Sequence, residues 1–225
     1  MATETRLKDL TLSPVKIPVD VGHLEGVLSV PVDAAGLVLF AHGRGTSREL
    51  LRNNFVASTL QQRGIATLLF DLLTPVEDSR YSNRFNIDLL SERLELATDW
   101  IRKRQGLTGI AIAYMGAGTG AAAALRAGAN RGDTIKAIVA RGGRPDLAGP
   151  GVLAKVRAPT LLIVGGRDTS GIALNREAIE HISCERQMRV IAGATHQFDE
   201  PGTLEQVSTH AENWFSDHLK TVASQ

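Results

Sequence analysis

The chain has one cysteine, Cys184, among its 225 residues. That excludes an internal disulfide and suits a reducing compartment. Neither sign of charge is in excess: 25 Lys and Arg stand against 24 Asp and Glu, a net charge of +1. A nucleic-acid surface needs a concentrated basic face to neutralise phosphates, so a nucleic-acid partner is not expected. No apolar run approaches membrane-spanning length, and Met1-Ala-Thr-Glu-Thr-Arg6 lacks the apolar core of a signal peptide. The expectation is a cytoplasmic protein without a membrane partner. Internal repeats, low-complexity tracts, interdomain linkers, metal-ligand clusters and a phosphate-cradling P-loop are all lacking, so no cofactor and no metal site are expected. Hydrophobic content of 43% and charged content of 22% are ordinary. At this length the simplest reading is one domain, residues 1–225, with a substantial core.

Against these absences, the apolar pattern is strong. Val15–Val19 and Leu24–Val30 alternate around Asp20-Val-Gly22 and predict an antiparallel strand pair. Gly36–His42, Ile65–Asp71 and Pro159–Gly166 are continuous apolar runs, as expected of strands buried on both faces. Shorter strands are predicted at Ile135–Ala140 and Arg189–Ile191. Helical spacing links Leu50, Phe55, Val56 and Leu60 up to a stop at Gly64. It recurs over Ile87–Arg104, Ile172–Ile182 and Thr203–Leu219, with a short segment around Val152–Val156. Thr74–Asn86 is polar and predicts a surface loop over the carboxyl edge of the sheet. The strand–helix alternation predicts an α/β fold: a mostly parallel sheet of about eight strands with helices on both faces.

The sequence is organised around Ile110–Leu125, a short apolar strand, a turn of alternating glycines and a small-residue helix. Its turn, Gly116-Ala-Gly-Thr-Gly120, has the frame of a nucleophile elbow, G-x-S-x-G. Gly118 stands where that motif has its nucleophile. A dinucleotide-binding turn is the competing reading, but the spacing is G-x-G-x-G rather than G-x-G-x-x-G. The next strand also ends in Ala140-Arg141, without the acid a ribose would need.

Two further loops follow predicted strands and lie at the same carboxyl edge. Val164-Gly-Gly-Arg-Asp168 carries an acid, and Gly193-Ala-Thr-His196 a histidine. Nucleophile, acid, histidine is the chain order of α/β-hydrolases, in which histidine takes the nucleophile's proton and the acid fixes its tautomer. Each residue also has a plainer reading. Asp168 could only cap the following helix, and His196 could be an ordinary loop histidine. Arg44, Arg141 and Arg144 could form an anion-binding rim, or simply be solvated. Cys184 follows a helix away from that edge and reads as incidental. Thr119 starts a helix, so its side chain does not readily replace a serine.

Together the strings Phe40-Ala-His-Gly-Arg-Gly45, Gly116–Gly120, Ala158–Asp168 and Gly193–His196 resemble the dienelactone hydrolase-like branch of the α/β-hydrolase superfamily, over roughly residues 15 to 220. These are small enzymes without a large cap. The resemblance implies that Asp168 is the triad acid and His196 the general base. It implies an oxyanion hole from the N–H groups of Arg44 and Thr119, with His42 shaping that loop. The departure is Gly118. Three functions remain open: a hydrolase for a small ester, lactone or related acyl substrate, impaired in covalent catalysis; a general-base enzyme using His196 and Asp168 without an acyl intermediate; and a small-ligand receptor.

Overall fold

The computed structural model describes residues 10–42 and 47–219, those of 47–50 by backbone alone. Eight strands form one sheet: β1 (Leu10–Val19), β2 (Gly22–Pro31), β3 (Gly36–His42), β4 (Ile65–Asp71), β5 (Ile112–Gly118), β6 (Ile135–Gly143), β7 (Thr160–Gly165) and β8 (Arg186–Ile191). Their spatial order is β1-β2-β4-β3-β5-β6-β7-β8. β1, β2 and β4 pair antiparallel, and every later pairing is parallel.

The helices are α1 (Ser47–Gln62), α2 (Pro75–Asp78), α3 (Ile87–Arg102), α4 (Thr119–Arg131), α5 (Pro150–Leu153), α6 (Thr169–Glu180) and α7 (Thr203–His218). The central strands show why their sequences are apolar throughout. In β3, Leu37, Leu39 and Ala41 join the core under α3 and α4, whereas Val38 and Phe40 join the core under α1 and α7. Strand periodicity of two splits a continuous run between the two faces.

Four expectations need correction. Residues 74–86 are not a plain loop. Thr74 closes a capping box with Glu77 that starts α2, and Tyr81–Phe85 is a 3-10 turn. The strand predicted at Ile135–Ala140 is longer, because β6 runs to Gly143 and carries Arg141 within it. β1 starts at Leu10 despite Pro14, and it can because it is an edge strand, where a missing N–H is tolerated. β8, at the other edge, also starts early, with exposed Arg186 and Gln187 hiding its pattern.

Candidate active site

The parallel topology brings the ends of β3, β5, β6, β7 and β8 to one edge. At the centre, β5 turns into α4 through Gly118, with φ 56° and ψ −126°. This left-handed region costs a non-glycine residue about 1–3 kcal/mol, and glycine avoids that cost. The turn is tight. A Cβ built on Gly120 would lie 1.9 Å from the Ala41 carbonyl oxygen at the end of β3, so only glycine fits there. At Gly118 a Cβ would meet no atom of the described residues within 4 Å.

The acid and histidine meet as the sequence pattern implies. His196 Nδ1 lies 2.7 Å from Asp168 Oδ2. Asp168 also caps α6, since its Oδ1 accepts from the Gly171 N–H at 2.9 Å. The two readings of Asp168 are therefore both true, one for each oxygen. Partial burial alone would raise its pKa, but the hydrogen bonds from Gly171 and His196 prevail and hold it below the ordinary aspartate value. An ionised carboxylate can only accept, so Nδ1 carries the proton and the neutral ring keeps its lone pair on Nε2. The Asp168 side chain is 15% exposed and that of His196 50%.

The histidine loop is fastened to its surroundings. The N–H groups of Gly166 and Arg167 donate to the carbonyls of Ile191 and Ala194 at 2.8 Å, tying the acid loop to the histidine loop. From α1, buried Arg52 donates to Gln197 Oε1 at 2.8 Å and to Asp199 Oδ1 at 2.7 Å, on either side of Phe198. Phe198 is a non-glycine residue held at φ 58° with its ring buried. No local pattern signals this Arg52 clamp, because its partners lie 145 and 147 residues away.

Gly118, Thr119, His42, Arg141 and His196 line one cavity of about 260 Å³, joined by Arg84, Phe85 and Gln197. Arg141 is 3% exposed and donates to Asn53 Oδ1 at 3.2 Å, so its solvated reading is corrected. Arg144 does not line the cavity; its guanidinium grips Asp146 with contacts of 2.6 to 3.2 Å. Arg44 lies outside the described residues. Arg84 and Phe85 were missed individually, although the 74–86 stretch is the right one. Arg84 is held by both oxygens of Asp78 at 2.8 and 2.9 Å, and Phe85 meets Tyr81 edge-on with ring centroids 5.3 Å apart.

Cys184 donates to the Ala158 carbonyl at 3.1 Å, and burial raises its thiol pKa, which suits an incidental thiol. Among the described residues no group of three or more His, Cys, Asp or Glu could hold a metal ion, and no helix is long and apolar enough to cross a membrane.

No known family profile matches the chain. Two Mycobacterium tuberculosis proteins, from strains CDC 1551 and H37Rv, are each 49% identical over 218 residues, or 97% of this chain. Both are provisionally named phosphoribosyl transferases, and the match spans 48% of their length. The crystal structure of dienelactone hydrolase from Anabaena variabilis superposes with a TM-score of 0.88 at 46% identity, covering 93% of this chain and 99% of that one. Est1E from Butyrivibrio proteoclasticus, at 17% identity and a TM-score of 0.76, covers 92% of this chain and 99% of its own, and shares the fold. Identity of 46% across nearly all of the Anabaena protein, on the same eight-stranded architecture, means that this chain belongs to the dienelactone hydrolase family of α/β-hydrolases.

Proposed function

We propose that the chain is a hydrolase-type enzyme for a small ester, lactone or related acyl compound, with Gly118 at the nucleophile position limiting covalent catalysis. The observation that carries this reading is the 2.7 Å contact between His196 and Asp168 beside the β5–α4 elbow. In such a site Asp168 fixes the imidazole and stabilises it once protonated, while Nε2 takes a proton from the attacking hydroxyl. The carbonyl oxygen of the substrate would sit at the N-terminus of α4, where the Thr119 N–H and the helix dipole favour developing negative charge. The backbone N–H of Arg44 is the second proposed donor. Arg141 and Arg84 on the cavity wall suit an acyl compound carrying an anionic group.

Direct general-base hydrolysis is the second reading. It is favoured by the space that the described residues leave at Gly118, which would admit an attacking hydroxyl without an acyl intermediate. The transferase name of the Mycobacterium relatives stays with those longer proteins, since the stretch they share with this chain is of hydrolase architecture here.

The deciding experiment compares the protein, Gly118→Ser and His196→Ala on activated short-chain esters. Gly118→Ser is expected to raise turnover by about 10³-fold or more and to gain covalent labelling by a fluorophosphonate. His196→Ala is expected to remove the activity of both backgrounds. A Gly118→Ser protein that neither labels nor turns over would sink the hydrolase reading.

A further inference from the structure

The two edges of the sheet are built differently. β1 carries Pro14 and Pro18, which have no N–H to offer a further strand. β8 has no proline, and among the described residues no strand lies beyond it. Its ladder with β7 fixes which backbone groups are left over. Thr160 and Gly166 donate to the carbonyls of Glu185 and Ile191 at 2.9 and 2.8 Å. The ladder alternates, so Glu185, Gln187, Arg189 and Ile191 bond inward to β7. Arg186, Met188 and Val190 therefore turn their N–H and C=O groups outward.

Strands of a parallel sheet are ordinarily covered on both faces, and β7 is buried at every position. β8 is exposed at four of its six residues. Arg186 and Val190 are bare on the side where Met188 packs near α6, and Gln187 and Arg189 on the side where Ile191 packs against α7. Arg189 donates to Gln187 Oε1 at 3.1 Å and joins no ion pair among the described residues. The Glu185 side chain, which accepts from His218, is 57% exposed.

We propose that β8 pairs antiparallel with β8 of a second copy of this chain, about a twofold axis at Gln187, so that two sheets become one. The outward groups of Arg186 then exchange hydrogen bonds with those of Met188 of the second copy. On the α7 side Glu185 lies opposite Arg189 of the second copy, and symmetry forms that contact twice. On the α6 side Val190, 46% exposed, meets Cys184 of the second copy. Charge selects this register. An axis at Glu185, Arg186 or Arg189 would set like charges face to face, and one at Met188 would leave Glu185 against apolar Ile191. The paired strands run in opposite directions, so the two cavities face apart and neither borrows a residue from the other copy. The pairing is thus independent of the proposed reaction.

The test is sedimentation velocity over a concentration series, on the protein, Met188→Pro, Arg189→Glu, Glu185→Arg and the double reversal Glu185→Arg with Arg189→Glu. The protein should pass from monomer to dimer as concentration rises. Met188→Pro removes an outward N–H while sparing the ladder to β7, and should leave monomer alone. Each single reversal opposes like charges twice and should raise the dimer dissociation constant by about tenfold or more. The double reversal should restore it, which damage to the strand would not. Should Met188→Pro fail to fold, as its melting curve would show, the reversals decide alone. A monomer at every concentration overturns the inference, and so does a dimer that all of these variants leave intact. A dimer weakened by the single reversals and not restored by the double one overturns it as well.

Discussion

The acid–histidine side of the cavity and the elbow side are built in opposite ways. On the first, each group is held more than once. Asp168 binds His196 and Gly171, the two loops share backbone hydrogen bonds, and Arg52 clamps the residues after His196. On the second, the turn is packed tightly through Gly116 and Gly120, yet at Gly118 it projects nothing. The difference teaches that the two sides of the cavity are held independently: the histidine is oriented by its own neighbours, and the shape of the elbow by backbone packing.

That contrast can be broken from either side. The largest structural effect is expected from Gly120→Ala, which drives a Cβ into the Ala41 carbonyl and forces β3 and α4 apart. Overpacking against backbone costs about 1–3 kcal/mol or more, and each kcal/mol lowers Tm by about 2–4 °C in a chain of this size. Calorimetry on this variant and on Gly118→Ala separates packing from backbone conformation. Gly118→Ala carries only the positive-φ cost, so a smaller loss in Gly120→Ala than in Gly118→Ala would contradict the packing argument.

On the other side, the proposed hydrolase site would make Arg52 a positioning residue, acting on the reaction through the histidine loop that it binds. Arg52→Met, made in the Gly118→Ser background, is expected to lower kcat by about tenfold, the scale of a slightly misplaced catalytic group. KM should change little and Arg52→Lys should restore part of the rate. Because the Asp199 side chain is 52% exposed, the ion pair itself adds little stability. A fall in Tm with kcat unchanged would reduce Arg52 to a structural role.

The smallest effect concerns the wall that carries Arg84 and Phe85. Partial burial alone would raise the Glu77 pKa, but the Thr74 N–H and Arg93 outweigh it and hold that carboxyl below the ordinary glutamate value. A depressed folded pKa adds stability that is fully present above the unfolded value, about 4.3, and is lost as pH falls through the folded one. The Tm gap between the protein and Glu77→Gln should therefore be widest near neutral pH and narrow below about pH 4. A gap independent of pH would show that Glu77 matters by packing alone.

How much was legible follows from where the signal lay. β3 and β4 could be bounded to the residue because both faces are covered and the run is nearly all apolar up to a polar last residue, His42 or Asp71. The edge strands β1 and β8 were read short, since one side of each is solvated and Pro14 or Arg186 breaks the pattern. Asp168 and His196 were findable because each sits in a loop just past a strand, buried β7 and edge β8, in the chain order of acid and histidine that the family pattern has. Arg84, Gln197 and Arg52 were not, because each reaches the site from an element whose own periodicity says nothing about the cavity. Of the two readings of Arg144, the solvated one holds: its side chain is exposed and paired with its neighbour Asp146, away from the cavity.

The sequence by itself determined the sheet, the elbow frame and the absence of a side chain at Gly118, for these rest on local pattern and residue identity. Only the tertiary structure decided that the described residues leave the Gly118 direction open, that Asp168 serves a helix and a histidine at once, and that buried Arg52 clamps the histidine loop. Those are relations between segments up to 147 residues apart, fixed by the order in which strands meet and not by what any one of them contains.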